Sequence, residues 1–496
     1  MWAVIVGTTR RHWVIIATLC VLTAAAILRF ANIGWSYSNN GIDEGVMIER
    51  VLMVGQGSAL YSELPCDQAP LAFIVGALFG GDVVSLRALS AMLSFAAVAC
   101  CMSVSRRMGG NHAMLATGAL LAVDFAFVRE SRLFSLDAMS ASFLAFSLAV
   151  FMLHLERRNL AVLALAGVLA GIACSIKLIG GLALLAIIIF ILIEMLKGRM
   201  PRKIALMDIT LVASLAALPL IILMALLGAS DMIQGMVFDQ GHREFDAFLK
   251  LSLLAYFGLN LALVLPLAYA NRLWRRGPRE RLLLTATIVI LVFMVVQPLV
   301  FLHHVVIAGP ALAILAGVVI GKSIEAKKAS AESISKVSES KWGYARRVAI
   351  PTFVISIVIS GGLSTYGLAT QGEPSQVIWG EVVAELSSEM DYVICGDPMI
   401  AAYAGRMTPP EVVNVAERQY PELTLERLCQ AVTEYDVTVV VICYRLNDFE
   451  GFPSFLESHN YTLTLPDLVI PDGRAVLDLY QDGIDPVTLY VRNADA

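Results

Sequence analysis

The sequence predicts a polytopic α-helical membrane protein of about eleven transmembrane helices with a C-terminal extracytoplasmic α/β domain. Three observations predict it. Hydrophobic residues make up 58% of the 496 and charged residues only 16%, whereas roughly 25% charged is usual in a soluble globular chain. Apolar runs close to the length needed to cross a bilayer recur along the chain. From "TQGEPSQ" at residue 370 the composition turns mixed and polar, with short β-branched runs between helical patterns.

The eleven candidate spans fall at 13–33, 83–104, 112–128, 134–154, 160–175, 178–196, 205–228, 250–270, 282–301, 303–321 and 348–368. Arg10–Arg11 followed by an apolar run resembles a secretory signal, but the run is long for a signal core and more spans follow, so a retained helix is expected. The basic clusters test the count. Arg10–Arg11, Arg106–Arg107, Arg157–Arg158, Lys197 to Lys203, Arg272 to Arg281 and Lys322 to Arg347 all fall on one side of the membrane. By the positive-inside rule that side is the cytoplasm. The expected placement is therefore a multi-pass protein of the plasma membrane with a cytoplasmic N-terminus. Residues 1–369 form the membrane domain, with a first outer loop at 34–82 and a polar cytoplasmic linker at 322–347. Residues 370–496 form the outer domain.

In that last segment "DYVICGD", "VTVVVICY", "AVLDLYQ" and "VTLYVR" read as strands and "PELTLERLCQAVTEY" as a helix. It holds neither a P-loop nor a GxGxxG, and no nucleic acid is expected among the partners. The eight cysteines form no CxxC pair. Cys395, Cys429 and Cys443 lie in the outer domain, either with one disulfide among them or as buried thiols.

The informative residues are charges on the outer side, where few are expected. Arg87, Arg129, Arg132, Lys177, Arg243 and Lys250 lie at or near outer helix ends. An ionisable group close to the membrane core costs about 2.5–3.5 kcal/mol on insertion scales, so it faces a cavity or a partner. Lys177 interrupts the apolar "GIACSIKLIGGLALL" with no acid nearby in sequence. It is either a lysine snorkelling at a helix end or a cation for an anionic headgroup, of which a lipid phosphate is the obvious one at this depth. "VRESRLFSLDAM" places Arg129, Glu130, Arg132 and Asp137 at the start of the fourth span. They are a self-neutralising turn or a phosphate clamp in which Asp137 orients an arginine, whose planar fork suits phosphate oxygens.

The first outer loop carries "DEGVMIERVLMVGQG" at 43–57. The apolar Met47, Ile48, Val51, Leu52 and Val54 suit a helix lying on the interface. Asp43 at its start reads as an N-cap with Glu44 in the first turn. Adjacent helical positions point about 100° apart, so the two acids are expected to differ in role. A carboxylate opposite a cluster of cations at the membrane surface has the chemistry to deprotonate an attacking hydroxyl, while the cations hold a leaving phosphate.

These segments resemble the protein O-mannosyltransferase family. That family has an Asp-Glu pair in the first outer loop, as at Asp43–Glu44. Its S-R-x-x-x-L-D segment matches "SRLFSLDAMSASF" at 131–143, and its S-x-K-x-x-G segment matches "ACSIKLIGGL" at 173–182. "FLHHVVIAGPALAILAG" at 301–317 is similar to its late span. The wider class is the GT-C membrane glycosyltransferases that use lipid-phosphate sugars, including the aminoarabinose transferase of lipid A. The resemblance covers about residues 1–320, and the outer domain looks like that of the bacterial and archaeal branch.

The resemblance implies a glycosyltransferase that moves a sugar, mannose or another hexose, from a polyprenyl- or dolichyl-phosphate donor to an acceptor hydroxyl. The acceptor is a protein, glycan or glycolipid, and membrane lipid is a further partner. Asp43 would be the catalytic base and Glu44 would shape the donor or acceptor site. Arg132 and Lys177 would bind the donor phosphate beside Asp137, with Arg129 and Arg87 near them. His303 and His304 are ligand-contacting or packing residues. No cofactor is certain, and a divalent metal is one expectation, with His242 its weak ligand candidate against an ordinary loop histidine. The segment after Lys177 lacks the family's aromatic residue and no β-trefoil module is present, which leaves sugar and acceptor open. A transporter and an assembly protein are the alternative readings. The absence of an inverted repeat speaks against the first, and the unexplained acid pair against the second.

Overall fold

The computed structural model describes residues 2–35, 37, 41–238, 247–298, 300–332, 339–372, 374–413, 423–468 and 487–493. In chain order the helices are α1 (Trp2–Phe30), α2 (Gly41–Gly55), α3 (Leu71–Leu78), α4 (Val83–Val123), α5 (Phe125–Ser131), α6 (Leu136–Arg157), α7 (Leu160–Ile176), α8 (Leu182–Leu196), α9 (Arg202–Leu227) and α10 (Ala229–Ile233). There follow α11 (Ala247–Leu259), α12 (Leu261–Ala268), α13 (Ala270–Trp274), α14 (Pro278–Val296), α15 (Gly309–Glu332), α16 (Glu339–Thr370) and α17 (Ser375–Glu385). The chain closes with α18 (Pro398–Ala404), α19 (Leu425–Glu434) and α20 (Phe452–Ser458), among the strands β1 (Val393–Cys395), β2 (Val439–Ile442), β3 (Tyr461–Leu468) and β4 (Val487–Arg492). The chain divides into two compact units.

The first unit holds Met1–Ala31, Ser90–Leu223 and Glu244–Tyr366 and, apart from its turns, is helical. Every expected span falls on helix. Among the described residues six helices are long and apolar enough to cross a membrane, and the protein is a multi-pass membrane protein. Their burial sorts them. The most apolar window of α6 is 72% buried, whereas those of α1 and α9 are 17% buried. The helix that bears Asp137 is thus at the centre of its unit. Exposed Ile15, Leu19, Ile221, Ile222 and Leu226 give α1 and α9 apolar surfaces suited to lipid.

Two of the expected spans are arms of α4, which doubles back at Gly110, where φ is +78°. Only glycine takes that conformation without steric cost. The arms are joined by a hydrogen bond from Thr117 Oγ1 to Ser105 Oγ at 2.8 Å, and Gly118 sits against Met102 with no room for a side chain. The expected span at 250–270 is broken at Asn260 into α11 and α12. Asn260 leaves the helical region (φ −111°, ψ 49°), and Pro266 deprives the second piece of one backbone donor.

Three of the basic clusters assigned to one side are physically joined. Glu156 takes both Arg107, at 3.6 Å, and Arg279, at 2.7 Å. Glu194 takes a two-pronged contact from Arg281, at 2.8 Å on each oxygen, and a further one from Arg199 at 3.1 Å. Asp208 takes Arg158 at 3.1 Å and His154 at 3.2 Å. Clusters far apart in sequence therefore share acids at one end of this unit.

The second unit holds Asn32–Leu89, Met224–Arg243 and Gly367–Ala496. Its sheet runs in the order β1-β2-β4-β3. β1 and β2 are parallel, pairing Val393 with Val439 and Cys395 with Val441. β4 is antiparallel to both its neighbours. Side chains alternate between faces, as the strand repeat requires. Ile394, Val440, Ile442 and Tyr490 pack with α19 and α20. Val393, Cys395, Val439, Val441 and Leu489 pack with α17 and α18. Three of the expected strands are present. "AVLDLYQ" lies outside the described residues, and β3 is a strand the sequence reading did not propose. None of the eight cysteines is in a disulfide, and burial pushes the thiols of Cys395 and Cys443 up.

Candidate active site

Candidate residues lie in each unit. In the second unit, α2 begins at Gly41, so Asp43 and Glu44 both stand in its first turn rather than at the N-cap. Negative charge there complements the helix dipole. The two acids part at once. Asp43 is exposed, whereas Glu44 is buried. Glu44 meets Arg87 in a two-pronged pair, Arg87 Nε to Oε1 at 2.8 Å and Nη2 to Oε2 at 2.6 Å. The remaining arm of Arg87 donates to the carbonyls of Ile33 and Gly34, each at 3.1 Å. The structure thus brings Glu44 and Arg87 together as a clamp on the entry to α2.

In the first unit the sharpest cluster surrounds Asp137. Lys177 Nζ donates to Asp137 Oδ2 at 2.7 Å, and His303 Nε2 lies 3.8 Å from the same oxygen. Asp137 is 5% exposed, and its Oδ1 is buried with no hydrogen-bond partner among the described residues. The local sequence explains how Lys177 gets there. It ends α7 in an extended conformation (φ −153°, ψ 133°) before a short 3-10 turn over Leu178–Gly181. That turn needs Gly180, because a Cβ there would lie 2.3 Å from both the Ala173 carbonyl oxygen and Ser140 Oγ. Asp137 stands in the first turn of α6, whose N-cap Ser135 accepts from the Ala138 amide. The lysine with no acid nearby in sequence therefore has one from 40 positions away.

His303 and His304 lie on a 3-10 turn over Leu302–Ile307 with their rings in edge contact, 4.5 Å between centroids. Asp137, His303 and His304 each offer one atom within 4.8 Å of the others, the spacing of a metal triad. His304 does not fit as a ligand. The Phe301 amide donates to His304 Nδ1 at 3.0 Å, so the proton of a neutral ring sits on Nε2 and no lone pair is left for a metal. His242 and Arg243 lie outside the described residues.

The arginines of the "VRESR" segment are committed to the protein. Arg129 pairs with Glu130 at 3.0 Å, and Glu130 accepts from Ser135 Oγ at 2.6 Å. Burial pushes the Glu130 carboxyl up, against the pull of Arg129. Arg132 donates to the carbonyls of Leu28 at 3.0 Å and Ala31 at 2.8 Å, capping the C-terminal end of α1. Lys250 does the same for α14, donating to the carbonyls of Met294 and Gln297. Sequence reasoning missed Arg29, fully buried, which donates to the carbonyls of Leu121 at 2.9 Å and Ala122 at 3.2 Å and lies over Phe127. Its place at the end of an apolar span is the one signal that pointed to it.

Residues 13–229 match the family model of the dolichyl-phosphate-mannose-protein mannosyltransferases. No curated protein matches the chain in sequence. Among solved structures the chain is similar to ArnT from Cupriavidus metallidurans bound to undecaprenyl phosphate. The TM-score is 0.62 at 16% identity, over 97% of this chain and 98% of that one. It is also similar to the oligosaccharyltransferase AglB from Archaeoglobus fulgidus, in complex with an inhibitory peptide and a dolichol-phosphate. There the TM-score is 0.59 at 15% identity, over 92% of this chain and 74% of that one.

Proposed function

We propose that this chain, a membrane glycosyltransferase of the GT-C class, moves a hexose such as mannose from a polyprenyl- or dolichyl-phosphate donor to an acceptor hydroxyl. The transfer takes place on the extracytoplasmic face of the plasma membrane, and the acceptor is a protein, glycan or glycolipid. The observation that carries the reading is Lys177, a cation held by Asp137 in apolar surroundings. It is supported by the lipid phosphates bound to both similar structures.

The chemistry follows from the residues. The acceptor oxygen attacks the anomeric carbon, forming the new C–O bond while the bond from that carbon to the phosphate oxygen breaks. Asp43, exposed on the first turn of α2, takes the hydroxyl proton. The leaving lipid phosphate carries away the electron pair, and Lys177 neutralises the charge that develops on it. His304, with its proton on Nε2, is a further N–H donor for that anion. Asp137 aims Lys177. One displacement of this kind inverts the anomeric centre. Glu44 and Arg87 hold the helix that carries the base, while Arg129 and Arg132 hold the ends of α5 and α1.

The test is binding. Purified protein in lipid should bind polyprenyl phosphate saturably, in competition with the sugar-loaded donor. Lys177→Ala should weaken that binding about 10-fold to 100-fold, the loss of one charge-assisted contact. Equal binding by Lys177→Ala and wild type would remove the donor assignment.

A further inference from the structure

The helix that carries Asp43 is attached to the C-terminal sheet domain by a buried acid. Gly45 of α2 packs so closely on the start of α18 that a Cβ there would lie 2.5 Å from the Met399 amide nitrogen and 2.8 Å from the Pro398 carbonyl carbon. One turn further along α2, Glu49 is 2% exposed, and its Oε1 accepts from Thr408 Oγ1 at 2.7 Å. Tyr403 of α18 donates to the Gly34 carbonyl at 3.4 Å, ahead of the same helix. These contacts all lie inside the second unit.

The groups facing Glu49 are the Thr408 hydroxyl, Asp397, Cys395 and Arg50. Asp397 is occupied, taking the Met399 amide and Gln376 Nε2, each at 2.9 Å. Arg50 faces Asp67 at 3.6 Å. Glu49 is held by a hydroxyl, and an acid stands beside it. Burial first, and Asp397 after it, push the Glu49 carboxyl up to about 8, against Thr408 and Arg50. It is therefore the neutral acid at neutral pH and an uncompensated buried anion in mild alkali, which is costly.

We propose that Glu49 is a positioning residue for the transfer reaction: its contact with Thr408 latches the Asp43-bearing helix to the C-terminal sheet domain, and ionisation of Glu49 releases it. The inference rests on the reading of Asp43 as base given above. The folded form holds the Glu49 proton more tightly than an unfolded chain does. The latch is accordingly at full strength only below the ordinary glutamate value of 4.5, weakens by up to about tenfold per pH unit as pH rises from there to about 8, and levels off above it.

The full chain in lipid nanodiscs should be followed by amide hydrogen exchange over residues 43–53 and by sugar transfer, from about pH 6.5 to about 9.5. Wild type, Glu49→Gln, Glu49→Ala and Thr408→Val are compared at each pH, so that intrinsic exchange cancels. In wild type, α2 protection and kcat should fall together as pH rises to about 8 and level off above it, with KM for donor unmoved. Glu49→Ala should lose protection at every pH, and Glu49→Gln should restore it and abolish the alkaline fall. Thr408→Val should lose protection at every pH, as Glu49→Ala does, because the latching hydroxyl is gone. An unchanged alkaline fall in Glu49→Gln, or flat α2 protection in wild type, would overturn the latch. If protection follows this pattern in a protein that transfers no sugar, the latch stands and the proposed reaction fails.

Discussion

Two neighbouring carboxyls, Asp43 and Glu44, end in opposite environments because successive helical residues point about 100° apart. Glu44 is buried against Arg87 and Asp43 is exposed. Their substitutions should separate cleanly. Asp43→Asn should lower kcat about 10²–10⁴-fold, the usual scale of general base catalysis, with thermal stability unchanged. Glu44→Gln leaves the Arg87 cation buried without its counter-ion and should destabilise the fold by about 3–5 kcal/mol, seen as a lower Tm before any effect on chemistry. The acids themselves were legible in the sequence, as was Lys177. Their partners were not. Arg87 is 43 positions from Glu44 and Asp137 is 40 from Lys177, and nothing local to either residue names the other. For the same reason Arg132 read as a phosphate ligand, whereas its guanidinium reaches the last carbonyls of α1.

At the scale of elements, α2 is decisive. Its sequence reads as an amphipathic helix resting on a membrane surface. In the structure its apolar Ile48 and Val51 are buried, Val51 packs against Gly76 of α3, and Gly45 rests on α18. An apolar stripe does not reveal whether lipid or protein covers it. Gly45→Val should force α2 and α18 apart, costing about 1–3 kcal/mol as overpacking does, and should lower transfer more than it lowers donor binding. Span positions were legible because length and hydropathy decide them. The break at Asn260 and the 3-10 turn holding His303 and His304 were not, since an apolar run has one composition whether it forms one helix or two pieces. The hairpin in α4 had a readable cause in Gly110, bounded by polar residues on either side.

For the whole molecule, the regular alternation of basic clusters was the strongest signal in the sequence. Its physical counterpart is the sharing of Glu156 and Glu194 among arginines from different clusters. The orientation follows if that end faces the cytoplasm. A protease site placed after residue 496 should be cleaved from outside in intact cells, and one placed before residue 1 should be cleaved only after lysis. The catalytic assignment is tested most directly by single-turnover transfer from radiolabelled polyprenyl-phosphate mannose to membrane and protein acceptors, with wild type beside Asp43→Asn. Label should pass from lipid to an acceptor hydroxyl with wild type, and stay on the lipid with an Asp43→Asn variant that still binds the donor. Transfer at an equal rate by the variant would contradict the assignment of Asp43 as base.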